Sequence, residues 1–366
     1  MKLGLFMMPL HSPERDFTEI LKEDRDAIVL ADHLGYDEAW VGEHYSCSTE
    51  PIADPLQFMA MVAASTSRIK FGSGVINLPQ HHPAQVAGNV AQFDHLVEGR
   101  YIMGVGPGGL GSDHELFETS ENNRGEMMVE SIDMIHAIWR SDPPYKIHGK
   151  YWNVVIEKQV HAHLGIGPMR KPYQKPFPPI AVSAMSPNSS TARLAGKRGW
   201  GLVSAHFTPG NQVRSHWQAY SEGAAEAGVR PERANWRVVR SILCTQTDAD
   251  AAAYLANETC SPGWHYKYLR DNLATFNMTK ILKSVEAMTD AELTVPNMLE
   301  KLVISGSPRR VLDRLIALAD EIGVFGTLLV AHKDWDNAML HRESMRLISE
   351  QVMPRLNQHM ATKAAD

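Results

Sequence analysis

Residues 37–46 read Asp-Glu-Ala-Trp-Val-Gly-Glu-His-Tyr-Ser. Ala39, Trp40 and Val41 form a short apolar run bounded by Gly35 and Gly42, the pattern of a buried strand. Polarity returns at once in Glu43-His44-Tyr45-Ser46, where such a strand would leave its sheet. A titratable pair at the C-terminal end of a strand is where a (β/α)8 barrel keeps its chemistry. His44 is therefore the first candidate for a catalytic group. The alternative is a histidine that caps the strand or bonds a neighbouring carboxylate.

Outward from this stretch, strand-like and helix-like segments alternate. Residues 3–8, 37–42, 69–78, 100–105, 179–184, 200–204, 237–246 and 324–331 read as strands. Phe17, Ile20, Leu21, Ala27, Ile28, Ala31 and Leu34 recur at helical spacing. Asp54-Pro55 opens a helix as cap and first-turn proline, Pro83 starts another, and Asp113 reads as the cap of a helical region reaching Arg140. Two stretches break the rhythm. Residues 143–177 are rich in proline and glycine around a hairpin, and 258–303 mix Trp264, Tyr266 and Tyr268 with many charges. The first reads as an irregular insertion, the second as a mobile lid, and 359–366 as a frayed tail. Eight strands alternating with helices predict a single (β/α)8 TIM barrel over residues 1–366, with insertions after strands 4 and 7. A doubly wound sheet would carry a glycine-rich fingerprint after its first strand, and Met8-Pro9-Leu10-His11 is not one.

Composition narrows the partners. A length of 366 residues suits one large barrel, and a net charge of −6 argues against nucleic acid or an anionic membrane. Cys47, Cys244 and Cys260 are unclustered and odd in number, so neither a disulfide framework nor a zinc site is expected. The first residues pass straight into a strand and no apolar run reaches membrane-spanning length, so the expectation is a cytoplasmic protein without a signal peptide.

The strand ends carry many histidines, His11, His44, His81, His82, His206 and His332 among them. Metal-ligand spacing is lacking, and no metal is predicted. No Gly-x-Ser-x-Gly elbow supports a serine hydrolase. Ser186-Pro187-Asn188-Ser189-Ser190 precedes a helix and offers hydroxyls and backbone N–H groups to a phosphate, or else is an ordinary N-cap with extra serines.

Several motifs together are similar to the bacterial luciferase-like flavin monooxygenases. They are Met-Lys-Leu-Gly-Leu-Phe at residue 1, Trp40-Val41-Gly42-Glu43-His44, Gly74-Val75-Ile76-Asn77-Leu78-Pro79, Gly104-Val105-Gly106 and Gly306-Ser307-Pro308. Leu78-Pro79-x-His81-His82-Pro83, Gly104-x-Gly106-Pro107-Gly108 and Ala331-His332-x-Asp334-Trp335 resemble the terpenoid-oxidising, limonene-monooxygenase branch. The resemblance implies a two-component enzyme. A separate flavin reductase supplies FMNH2, and O2 is activated as a flavin C4a-(hydro)peroxide that oxygenates a small apolar, cyclic or terpenoid substrate by epoxidation, hydroxylation or Baeyer–Villiger insertion. His44 matches the family's catalytic histidine, acting as a neutral imidazole that exchanges a proton. Glu43 is its orienting neighbour or a salt-bridge partner. Gly74-Val75 matches an unusual non-prolyl cis peptide under the flavin. Ser186 and Ser189 match the phosphate contacts, with Ala184, Ser190, Gly106 and Gly108 as further cofactor positions. Leu10, Leu110, Trp264 and Trp335 are candidate substrate-pocket residues, each as readily core.

Two departures from luciferases stand out: Pro107 where they place an arginine, and Met185 where they carry a carboxylate. Arg193 and Arg124 are replacement candidates by charge, and light emission is not expected. A relative using deazaflavin F420 and a non-catalytic partner subunit are the alternatives. The small residues Ala84, Ala87, Gly88 and Ala91, with Ala60, Ala63 and Ala64, form stripes that would face a second copy in a homodimer or pack against the barrel.

Overall fold

The computed structural model describes residues 1–8 and 10–365, with side chains through residue 361. In chain order the elements begin with β1 (Lys2–Met7), α1 (Phe17–His33), β2 (Glu38–Val41), α2 (Pro55–Ala63), β3 (Lys70–Ser73), β4 (Ile76–Asn77), α3 (Pro83–Leu96) and β5 (Tyr101–Gly106). They continue with α4 (Gly111–Leu116), α5 (Arg124–Arg140), β6 (Tyr145–His148), β7 (Asn153–Ile156), β8 (Ile180–Ala184), α6 (Ser190–Arg198), β9 (Gly201–Ser204), α7 (Gly210–Glu226) and β10 (Trp236–Cys244). The chain then forms α8 (Asp248–Leu255), α9 (Ser261–Thr275), α10 (Val295–Leu302), β11 (Val303–Gly306), α11 (Pro308–Ile322), β12 (Thr327–Ala331), α12 (Ala338–Leu347) and α13 (Met353–Ala365). The strand order β12-β1-β2-β3-β5-β8-β9, with β10 paired to both β9 and β12, is that of a (β/α)8 barrel. All eight expected strands are present. The chain divides into two units, Met1–Trp40 with Val182–Asp366 and Val41–Ala181.

In the first unit, β1 pairs parallel with β12 from Lys2↔Thr327 to Phe6↔Ala331. Gly4 is required there, since a Cβ would lie 2.5 Å from Leu329 and 2.7 Å from the Glu38 carbonyl. The long β10 serves three neighbours: Trp236–Val238 against β9, Arg237–Arg240 against β12, and Ser241–Cys244 against β11. Glu38 is buried and accepts two hydrogen bonds from Arg237 and one from the Trp40 indole, so its charge is both paired and bonded.

Residues 258–303 are not irregular. They form α9, two short 3-10 turns and α10, and β11 begins at Val303. Tyr266, Ile281, Leu282, Met288, Leu293, Val295, Met298, Leu299 and Leu302 are buried together in one cluster. Thr294 caps α10, and Val295, Met298, Leu299 and Leu302 fall at i, i+3, i+4 and i+7. The expected tail is also helical, since α13 runs to Ala365, with Asp366 outside the described residues.

In the second unit, Asp54 caps α2 and His82 caps α3 ahead of Pro83. The 145–156 hairpin forms as expected, from Tyr145↔Ile156 to His148↔Asn153. The small stripe on α3 is only partly covered, with Ala84 and Gly88 half-buried, and on α2 Ala60 and Ala63 are half-buried and Ala64, at its end, is exposed. Ala87 and Ala91 are fully buried, the Ala87 carbonyl accepts the Trp139 indole N–H, and the Gly88 position lies 3.9 Å from Met169. The exposed large apolar side chains on these two helices are Met61 and Leu96. No helix of the described residues is long and apolar enough to cross a membrane.

Candidate active site

In the second unit, β2 ends at Val41, whose carbonyl accepts the Gly74 N–H at 2.6 Å. Gly74-Val75 is a non-prolyl cis peptide. It leads into β4, which pairs with the end of β5 through Ile76↔Val105 and Asn77↔Gly106. Gly74, Val75 and Gly106 are thus brought together beside the end of β2.

His44 follows two residues after Gly42 and is mostly buried, with both ring nitrogens facing carboxylates. Asp113 Oδ2 lies 3.1 Å from Nδ1, within hydrogen-bonding geometry. Glu50 Oε2 lies 3.1 Å from Nε2 but off the hydrogen-bond direction, an ion-pair contact. Asp113 also accepts from the backbone N–H groups of Tyr45 and Ser46 and from the Ser46 hydroxyl. Burial alone would lower the His44 pKa. The hydrogen bond that His44 donates to Asp113 and the contact with Glu50 outweigh it and raise the group to about 10. Burial would raise the Asp113 pKa, but His44 and Ser46 bring it down to about 2. These carboxylates favour the imidazolium form of His44 at neutral pH.

Asp113 does not cap the helix that reaches Arg140: it sits in the first turn of the short α4 and turns its carboxylate to His44, while Asn123 caps α5. Glu43 turns away from His44: its buried carboxylate lies 2.8 Å from His81 Nε2 and accepts the Asn77 N–H.

Near Gly108, which has φ +81°, the second unit holds buried polar atoms without partners among the described residues. They are both terminal atoms of the Gln80 amide and His114 Nε2. A Cβ on Gly108 would come 3.1 Å from His114 Nε2 and 3.4 Å from Gln80 Nε2. Burial, joined by the Arg124 charge, holds His114 below the ordinary imidazole range. Buried polar groups left unpaired cost about 1–3 kcal/mol each, so such a cluster suits a ligand with donors and acceptors along one edge. Leu110, half-buried, precedes α4 in the same unit.

In the first unit, Ser189 is the N-cap of α6, its hydroxyl accepting from the Ala192 N–H. Ser186 and Ser190 are exposed and Ala184 is buried at the end of β8. His216 braces this turn, Nε2–H donating to the Ser186 carbonyl and Nδ1 accepting from the Ser204 hydroxyl. Those partners fix a neutral tautomer, and burial pushes its pKa to about 4. Arg193 is committed to Glu222 and Glu226, so it does not replace the arginine missing at Pro107. Arg124 reaches the Ser120 carbonyl.

Of the proposed pocket residues in this unit, Leu10 is buried. Trp264 stacks on Tyr268 along α9, beside a groove of about 420 Å³. Trp335 lines a cavity of about 30 Å³ with His332 and Lys333, room for a water rather than a terpenoid.

The same unit holds a buried histidine pair. His206 Nε2 and His265 Nε2 are 2.8 Å apart, and Lys333 Nζ donates to His265 Nε2 at 3.0 Å. Accepting at Nε2 leaves the proton of His265 on Nδ1, a buried N–H without a partner among the described residues. Burial first, then the Lys333 charge, push both histidines well below the ordinary range. Apart from His206, these residues were not singled out from sequence.

Comparison with known proteins places the chain. The family model of luciferase-like monooxygenases matches residues 1–324. Limonene 1,2-monooxygenase of Rhodococcus erythropolis is 29% identical over 97% of this chain and 86% of its own length. The 4-hydroxyprotoasukamycin monooxygenase of Streptomyces nodosus subsp. asukaensis is 32% identical over 97% and 92%. Among solved structures, the oxygenating constituent of 3,6-diketocamphane monooxygenase from Pseudomonas putida, a type II Baeyer–Villiger enzyme in complex with FMN, superposes with a TM-score of 0.88. It is 29% identical and covers 97% of this chain and 98% of that one. The chain belongs to the luciferase-like monooxygenase family.

Proposed function

We propose that this protein is an FMN-dependent monooxygenase that inserts oxygen beside the carbonyl of a small cyclic, terpenoid-type ketone. The observation that carries the reading is His44, held as a cation by Asp113 and Glu50 at the end of β2. Bound reduced FMN supplies the electrons with which O2 is activated. A fixed imidazolium stabilises negative charge developing on oxygen beside it, which favours nucleophilic attack on a ketone over electrophilic epoxidation. His44 holds its proton instead of removing one, and Asp113 keeps the ring in place through Nδ1.

The residues present fit a flavin. The unpaired Gln80 amide and His114 Nε2 around Gly108 match a ring edge that both donates and accepts. Gly74, Val75, Gly106 and Gly108 are the proposed ring-side positions. Ala184, Ser186, Ser189 and Ser190 are proposed for the phosphate on the strength of the α6 N-terminus. Reduced FMN delivered by a separate flavin reductase belongs to the same reading. So does a homodimer, in which exposed Met61 and Leu96 would be covered.

The test is anaerobic loading with reduced FMN, followed by ¹⁸O2 and a bicyclic monoterpene ketone. One labelled oxygen in a lactone product is expected. Turnover that requires reduced F420, or an epoxide formed while ketones stay untouched, would overturn the proposal.

A further inference from the structure

The first unit contains a cavity of about 230 Å³ at the N-terminus of α7, lined by Arg240, Arg314, Lys301, His206, Gly210 and Glu321. Arg240 is only 5% exposed. Its Nη1 donates to the carbonyls of Ala205 and Val239, while Nη2 has no hydrogen-bond partner among the described residues. Among the described residues no carboxylate forms an ion pair with it, and Glu321 acts on it only through its charge at longer range. Burial lowers its pKa to about 10, still charged at neutral pH. A buried guanidinium with an open N–H is costly unless something anionic meets it.

The surroundings repeat the sign. Arg314 is anchored by the Val303 and Glu300 carbonyls, so its charge is not neutralised by these contacts. Lys301 is exposed at the rim. The 17-residue α7 begins at Gly210, which lines the cavity, with no side chain on its N-cap bonding the first turn, so the helix end adds partial positive charge there. Glu321 is the one acidic residue lining the cavity. It lies against Gly210, 2.3 Å from where a Cβ would be, and is exposed. Three cationic side chains thus face one carboxylate, around a volume below the roughly 300–1,000 Å³ of drug-sized pockets.

We infer that this cavity binds a small oxyanion, a phosphate or carboxylate group, with the open Arg240 N–H as its central donor and Glu321 as an in-chain competitor at the rim. The site is distinct from the residues proposed above for the flavin and the substrate.

Isothermal titration of the full chain with inorganic phosphate, and separately with acetate, at constant ionic strength tests this. One phosphate per chain is expected, and comparable binding of acetate would assign the site to carboxylate groups generally. Arg240→Met should weaken phosphate at least about tenfold, and Lys301→Gln about threefold. Glu321→Gln should tighten it about threefold by removing the opposing charge. Should Arg240→Met fail to fold, the opposite signs of the two exposed variants carry the test. Absence of binding up to about 10 mM phosphate, identical affinity in all variants, or complete displacement of the ion by FMN would overturn the inference.

Discussion

Two of the buried histidine sites among the described residues differ in charge. At the end of β2, His44 lies between Asp113 and Glu50 and is a cation. At His206 and His265 the neighbours are Lys333 and Arg240, and both rings are neutral. Both sites are desolvated, and desolvation alone disfavours the charged ring in each. The difference is made by the neighbours: carboxylates within hydrogen-bonding distance reverse the effect of burial, while cations reinforce it. A histidine's chemistry is thus written in residues distant in the chain, here 69 positions away at Asp113.

The comparison can be broken in four ways. The largest effect is expected from His44→Ala. Loss of a positioned proton-bearing group should lower kcat about 10²–10⁴-fold while reduced-FMN affinity changes little. Normal turnover, measured as lactone formation, would make His44 a structural strand cap. Asp113→Asn comes next. It removes a buried carboxylate that accepts four hydrogen bonds, and urea unfolding should show a loss of about 2–3 kcal/mol.

The third prediction concerns pH. His11, bonded to Asp24 and Asp334, is held at about 9, and His44 at about 10. Groups raised in this way stabilise the fold fully below the unfolded value near pH 6.5, and that contribution fades as pH rises through 9 and 10. His206, His265 and His216 are depressed, so their contribution is full above about pH 6.5 and is lost as pH falls, by about 1.4 kcal/mol per pH unit for each group. Stability by denaturant should therefore peak near pH 6.5, and Lys333→Met should make the acid limb shallower. A monotonic rise from pH 5 to 9 would contradict the raised groups, and a monotonic fall would contradict the depressed ones. The smallest effect is expected from Glu43→Gln. Its partners are His81 and Asn77, so kcat should fall less than about tenfold, well short of the His44 variant. Equal losses would return Glu43 to the proton chemistry.

Much of the fold was legible because its signals are local. Apolar runs ending in glycine or polar residues, Asp54-Pro55 as cap and first turn, and Ser307-Pro308 before α11 each depend on neighbours within a few positions. His44 was legible for the same reason, as polarity at a strand end. Its charge was not, because Asp113 looked like a helix cap and its true partner is set only when α4 meets the end of β2. The helices within residues 258–303 were hidden by their charge content. The Val295, Met298, Leu299, Leu302 spacing and the Thr294 cap were present as signals of α10, but Ile281, Leu282 and Met288 sit in short turns with no period to find. The alanine stripe of α3 was legible as a close-packing face. Its partner, α5 with Trp139, could only be known from tertiary structure.

The central claim is that His44 is a carboxylate-clamped cation. It is tested most directly by ¹⁵N NMR of the imidazole across pH 5–11, with Asp113→Asn as the companion spectrum. Both ring nitrogens should stay protonated at pH 8, titrating at about 10, and the Asp113 variant should titrate well below that. A wild-type ring that loses its proton near pH 6.5, unchanged by the Asp113 substitution, would contradict the account.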